Sequence, residues 1–112
     1  MKRILLFAAL AALLTPVRAS APHIITITGT GAVVQLSTTD QQASSIQFTA
    51  PSTNTGTARI GDSTTSSTVG EALAAGAGQY EAPKANGSYS LNTWYAYVAN
   101  GDKLVILWDD KQ

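Results

Sequence analysis

Gly61-Asp62-Ser63 follows the short run TARI and sets a serine at the end of a strand, a position from which a hydroxyl can act as a hydrolase nucleophile. Such a serine needs a histidine to take its proton, an acid to orient that histidine, and donors for the oxyanion. The chain has one histidine, His23, upstream of the serine in the segment PHII, which holds no aspartate. The expectation is a protein without a catalytic site, in which Asp62 and Ser63 cap a turn through side-chain to backbone hydrogen bonds. Asp109 and Asp110 are adjacent, so on a strand they point to opposite faces and make a poor acid-base pair. Asp40, Asp62, Glu71, Glu81 and Asp102 are scattered without the spacing of an acidic calcium loop and read as surface charge. With no cysteine there is no disulfide, thiolate nucleophile or sulfur-ligated zinc, and no metal or cofactor is expected. Asn86-Gly87-Ser88 fits the glycosylation pattern, but Asn-Gly is first of all a turn.

The remaining chemistry is aromatic. Trp94, Tyr95, Tyr97 and Trp108 offer either a platform for sugar rings or the packing of a core and an interface. Which of them face outward depends on the elements that carry them. From His23 onward the pattern has period two, predicting strands at His23 to Thr28, Ala32 to Ser37, Ser45 to Ala50, Thr57 to Gly61, Thr93 to Ala99 and Lys103 to Trp108. Glycine, proline and asparagine separate them. Around Val69 to Ala75 a helical turn competes with a strand end followed by a glycine-rich loop. Asn100-Gly101 predicts a tight hairpin between TWYAYVA and KLVILW. Within it, Trp94, Ala96 and Val98 share one face and Tyr95, Tyr97 and Ala99 the other, while Leu104, Ile106 and Trp108 oppose Val105 and Leu107. Only the outward members of this set are free to bind anything.

At 112 residues, 45% of them hydrophobic and 12% charged, the chain has room for one small core. Seven basic against seven acidic residues leave no basic face for phosphate, so nucleic acid is not an expected partner. The N-terminus places Lys2 and Arg3 before the apolar stretch Ile4 to Leu14 and the small residues of VRASA, the layout of a secretory signal cleaved near Ala19. That stretch is shorter than the ~20 residues of a membrane-spanning helix. Cleavage would leave four basic and seven acidic residues, a net charge of −3. The competing reading retains residues 1–22 as an arm that docks on a neighbouring subunit.

AVVQLSTT, the long segment SSIQFTAPSTNTGTARIGDSTTSSTVGEALAAG and YSLNTWYAYVANGDKLVILW together resemble the small β-sandwich proteins encoded among the head and tail genes of tailed bacteriophages. The features that carry the resemblance fall at Gly31 to Leu36, Asn54 to Gly56, Ile60 to Ser63, Gly70 to Gly76 and Tyr95 to Leu107. It implies a virion structural protein of the capsid decoration, cement or head-fibre kind, whose partners are the major capsid protein and further copies of itself. The expected architecture is all-β: a single antiparallel β-sandwich or jelly roll over residues 23–112, preceded by an apolar segment over residues 1–22. Interface candidates are Ile4, Leu5, Leu6, Phe7, Leu10, Leu13, Leu14, Tyr95 and Tyr97. The alternative is an exported, secreted or periplasmic binding module for a carbohydrate or protein ligand, working through Tyr95 and Tyr97.

Overall fold

The structure, a computed structural model, describes residues 22–110. The N-terminal interface candidates from Ile4 to Leu14 lie outside the described residues, as does the proposed cleavage point near Ala19. Among the described residues nine strands form: β1 (Pro22–Thr28), β2 (Val33–Gln35), β3 (Gln42–Thr49), β4 (Ala58–Gly61), β5 (Glu71–Leu73), β6 (Gly78–Glu81), β7 (Tyr89–Ser90), β8 (Tyr95–Tyr97) and β9 (Lys103–Asp110). A single 3-10 turn at Leu91–Thr93 leads into β8. All pairings are antiparallel, and the strands fall into two sheets, the first ordered β1-β9-β3-β6 with β7 also on β3, the second β2-β8-β4-β5.

With β7 set aside, this order is that of a jelly roll: apart from the β4–β5 hairpin, each step along the chain crosses from one sheet to the other. The side chains follow the pleat. Ile46, Phe48, Leu104, Ile106 and Trp108 project from the first sheet onto Ala58, Ile60, Leu73 and Ala96 of the second, with Leu36, Leu91 and Val98 closing the layer. Large residues of the first sheet meet both large and small ones of the second, Ile60 and Leu73 beside Ala58 and Ala96. Val69 to Ala75 resolves as the strand β5 followed by a turn, not as a helical turn. No helix among the described residues is long and apolar enough to cross a membrane.

The predicted hairpin is overturned. β8 pairs with β2 and β4, whereas β9 pairs with β1 and β3, so the two strands lie in opposite sheets. The turn itself is present: the Asp102 amide donates to the Ala99 carbonyl at 3.0 Å. Only Gly101 takes a positive φ, of 86°, and Asn100 does not. Both primed hairpin turns need positive φ at the first central position; with it only at the second, as in a type II turn, the flanking strands splay. Side chains then hold the arch open. Asp102, buried, accepts the Thr55 and Gly56 amides at 2.9 and 2.7 Å, and Asn54 exchanges two hydrogen bonds with the Lys103 backbone at 2.7 and 2.8 Å. The β3–β4 and β8–β9 crossings are thereby tied to each other.

Candidate functional site

The Gly-Asp-Ser segment sits where β4 ends. Asp62 Oδ1 accepts from the Thr64 amide at 2.8 Å and its hydroxyl at 2.5 Å, while the Asp62 carbonyl takes the Thr65 amide and hydroxyl at 3.1 and 2.7 Å. Asp62 is thus a turn residue, and the Thr64 hydroxyl and amide hold its carboxyl below the ordinary 3.8. Gly61 packs against this turn, since a Cβ there would meet the Thr65 hydroxyl at 2.9 Å. Ser63 is exposed and has no side-chain hydrogen bond among the described residues.

His23 lies on β1 of the other sheet and has a partner that the sequence did not reveal. Its Nε2 is 2.9 Å from Asp110 Oδ2, and its ring stacks on Trp108 with centroids 4.3 Å apart. The β1–β9 register puts His23 opposite Trp108, and only that long-range pairing brings the aspartate near. No hydrogen bond joins His23 to Ser63 among the described residues, so the geometry assembles no serine, histidine and acid chain. Asp109 and Asp110 do point apart: Asp109 reaches the Ser45 hydroxyl at 3.4 Å on the opposite side from His23. Among the described residues no three His, Cys, Asp or Glu side chains gather as a metal site.

Three surfaces remain. On the outer face of the second sheet Tyr95 and Tyr97 stand half-buried beside Gln35 and Val33 of β2 and Gly61 and Arg59 of β4. The alternation expected for β8 is as observed there, with Ala96 and Val98 inward. On the outer face of the first sheet the register lines up Ile24, Leu107, Gln47 and Tyr80 across all four strands. Ile24 is 70% exposed, Leu107 39% and Tyr80 56%, with Val105 in the adjacent row. The edge strand β1, PHIITIT, carries no lysine or glutamate to discourage pairing with another strand. Tyr80 was not singled out from sequence because β6 is only GQYE; the period-two signal needs more residues to show.

The third surface is a cavity of about 550 Å³ at the side of the sandwich, between the Asp62 turn, the loop before β7 and the 3-10 turn. Trp94 and Tyr89 line it, with Lys84, Asp62, Ser88 and Thr93 around them. Trp94 is braced by Phe48 of the core at a centroid distance of 5.3 Å and meets Tyr89 edge-on at 6.3 Å. Lys84 Nζ lies 4.4 Å from the Tyr89 ring centre, and the Tyr89 hydroxyl donates to the Ala82 carbonyl at 2.7 Å. Ser88 donates to Gln42, and Thr93 to the Ser90 carbonyl at 2.7 Å. In sequence Trp94 read as part of an aromatic group; Tyr89 and Lys84 gave no signal because the loop before β7 has no periodicity. Compared with known proteins, the chain matches no family model, no curated protein and no solved structure.

Proposed function

We propose that this chain is a bacteriophage virion structural protein of the capsid decoration or cement kind, non-enzymatic, which stabilises the head shell by adding non-covalent contacts between capsid subunits. The observation that carries the reading is the set of exposed apolar residues Ile24, Leu107 and Tyr80 in one row on the outer face of the first sheet, alongside the edge strand β1, which has no lysine or glutamate. Three exposed apolar side chains in one register row, with only Gln47 between Leu107 and Tyr80, suit burial against another protein better than contact with water. Low charge, the jelly-roll order used by viral capsid and lectin domains, and the resemblance of the Asn54 to Gly56 and Ile60 to Ser63 segments to phage sandwich proteins support the same reading. Because one fold hosts many functions, the surface and not the fold bears the weight. In this reading residues 1–22 are an anchoring arm retained in the virion, the partner is the major capsid protein, and the protein is oligomeric on the shell.

The test mixes the full chain with empty shells assembled from the major capsid protein encoded alongside it and measures co-sedimentation and shell melting. The expected result is saturable binding, a raised shell melting temperature, and binding weakened at least about tenfold (about 1.4 kcal/mol) by Leu107→Lys. Shells that bind nothing, or virions in which the protein is absent, overturn the reading. So does mass spectrometry showing loss of residues 1–19 in purified material, which favours an exported binding module.

A further inference from the structure

We propose that the cavity beside Trp94 binds a neutral pyranose, the sugar ring of a glycan. Its size lies within the range of small-ligand sites. Its walls combine what a sugar ring requires: an aromatic surface for the apolar C–H face and convergent donors and acceptors for the hydroxyls. Trp94 supplies the surface, held from the core side by Phe48. The polar groups are of both kinds. Among the described residues Asp62 Oδ2, Lys84 Nζ and Trp94 Nε1 have no hydrogen-bond partner, although all three residues line one cavity. Asp62 and Lys84 form no ion pair with each other, so one acceptor and one donor stay open to a ligand.

The charge on the walls selects the ligand. One carboxylate and one ammonium sum to zero, so neither a phosphate nor a polycation is favoured, whereas hydroxyls can accept from Lys84 and donate to Asp62. The walls are also pre-set. Thr64 fixes Asp62 through Oδ1, leaving Oδ2 free, and Ser88 and Thr93 already donate within the protein, so their oxygens turn lone pairs to the ligand. Little ordering is then required when a sugar arrives. The site is distinct from the apolar row of the first sheet, and its lining includes neither Tyr95 nor Tyr97, although Gly61 at its rim is the cross-strand partner of Tyr95.

Tryptophan fluorescence of the full chain, titrated with methyl α-D-glucopyranoside, methyl β-D-galactopyranoside and N-acetylglucosamine, is measured beside a glycan array. A saturable change with at least one neutral sugar is expected, with dissociation constants on the order of millimolar for a single ring. Trp94→Ala removes it. Because Trp94 also packs on Phe48, the exposed-residue variants Asp62→Asn and Lys84→Met are measured too; together they weaken binding about tenfold with an unchanged circular dichroism spectrum, whereas Tyr95→Ala leaves it intact. Absence of binding to every neutral sugar, binding of acidic glycans only, or binding that survives the double variant overturns the proposal.

Discussion

Asp102 and Asn54 show how much single polar side chains decide here. Both are buried, and each replaces a strand partner for backbone groups that would otherwise lack one. The Asp102 carboxylate is held below the ordinary 3.8 by the Thr55 amide first and then the Gly56 amide, against the opposing effect of burial. A carboxyl depressed in the folded state stabilises fully above its unfolded value and loses that contribution as the pH falls through the folded value. The melting temperature should therefore hold above pH ~4 and fall below it, and thermal melts of Asp102→Asn should show a lower plateau and a shallower acid limb. An identical acid limb in the variant would remove Asp102 from this account. The sequence marked Asn54 to Gly56 only as turn formers; that they clasp the Asp102 arch depends on a contact between distant segments.

Among the elements, the six strands expected from alternation are present as β1, β2, β3, β4, β8 and β9, and one face of β3, β4, β8 and β9 lies in the core. β6 and β7 were not legible, because their segments show no apolar alternation beyond the strand ends, and β5 was open between a helical turn and a strand end. The β8–β9 connection reads as a hairpin from Asn-Gly alone, yet the conformation of Asn100 and the Asp102 clasp send its strands to opposite sheets. Close approach enforces the same crossing at Gly29, where a Cβ would stand 2.0 Å from the Ala99 carbonyl oxygen. Gly29 also donates its amide to the Asp102 carbonyl at 2.8 Å and accepts the Gly101 amide at 3.0 Å. Gly29→Ala should cost roughly 1–3 kcal/mol in urea denaturation, the range of overpacking strain. Gly101→Ala, in open space but at positive φ, should cost about 1 kcal/mol. Equal costs would mean that the Gly29 contact is relieved by movement of the arch.

For the whole molecule, the pairing of the first strand with the last is the governing fact. Every sheet neighbour except the β4–β5 pair is distant in sequence, and closing those loops precedes most of the reward. Refolding from denaturant should therefore take milliseconds to seconds, as in other all-β domains of high contact order. Stopped-flow fluorescence from Trp94 and Trp108 reports it, and microsecond folding would contradict the topology. Among the described residues the same closure leaves β1, β6, β2 and β5 as sheet edges and puts the exposed Ile24, Leu107 and Tyr80 on the outer face of the first sheet.

The sequence by itself determined the all-β class, which residues share a face on the longer strands, and the turn role of Asp62. These follow from local alternation and from the count of residue types, both of which act within a few positions. The tertiary structure alone decided which strands pair, and hence the jelly-roll order, the His23–Asp110 contact, the row Ile24–Leu107–Tyr80 and the cavity at Trp94. The reason is physical: a strand's pleat fixes which side each residue faces, but its neighbour is chosen by the whole core, through contacts between segments far apart in the chain.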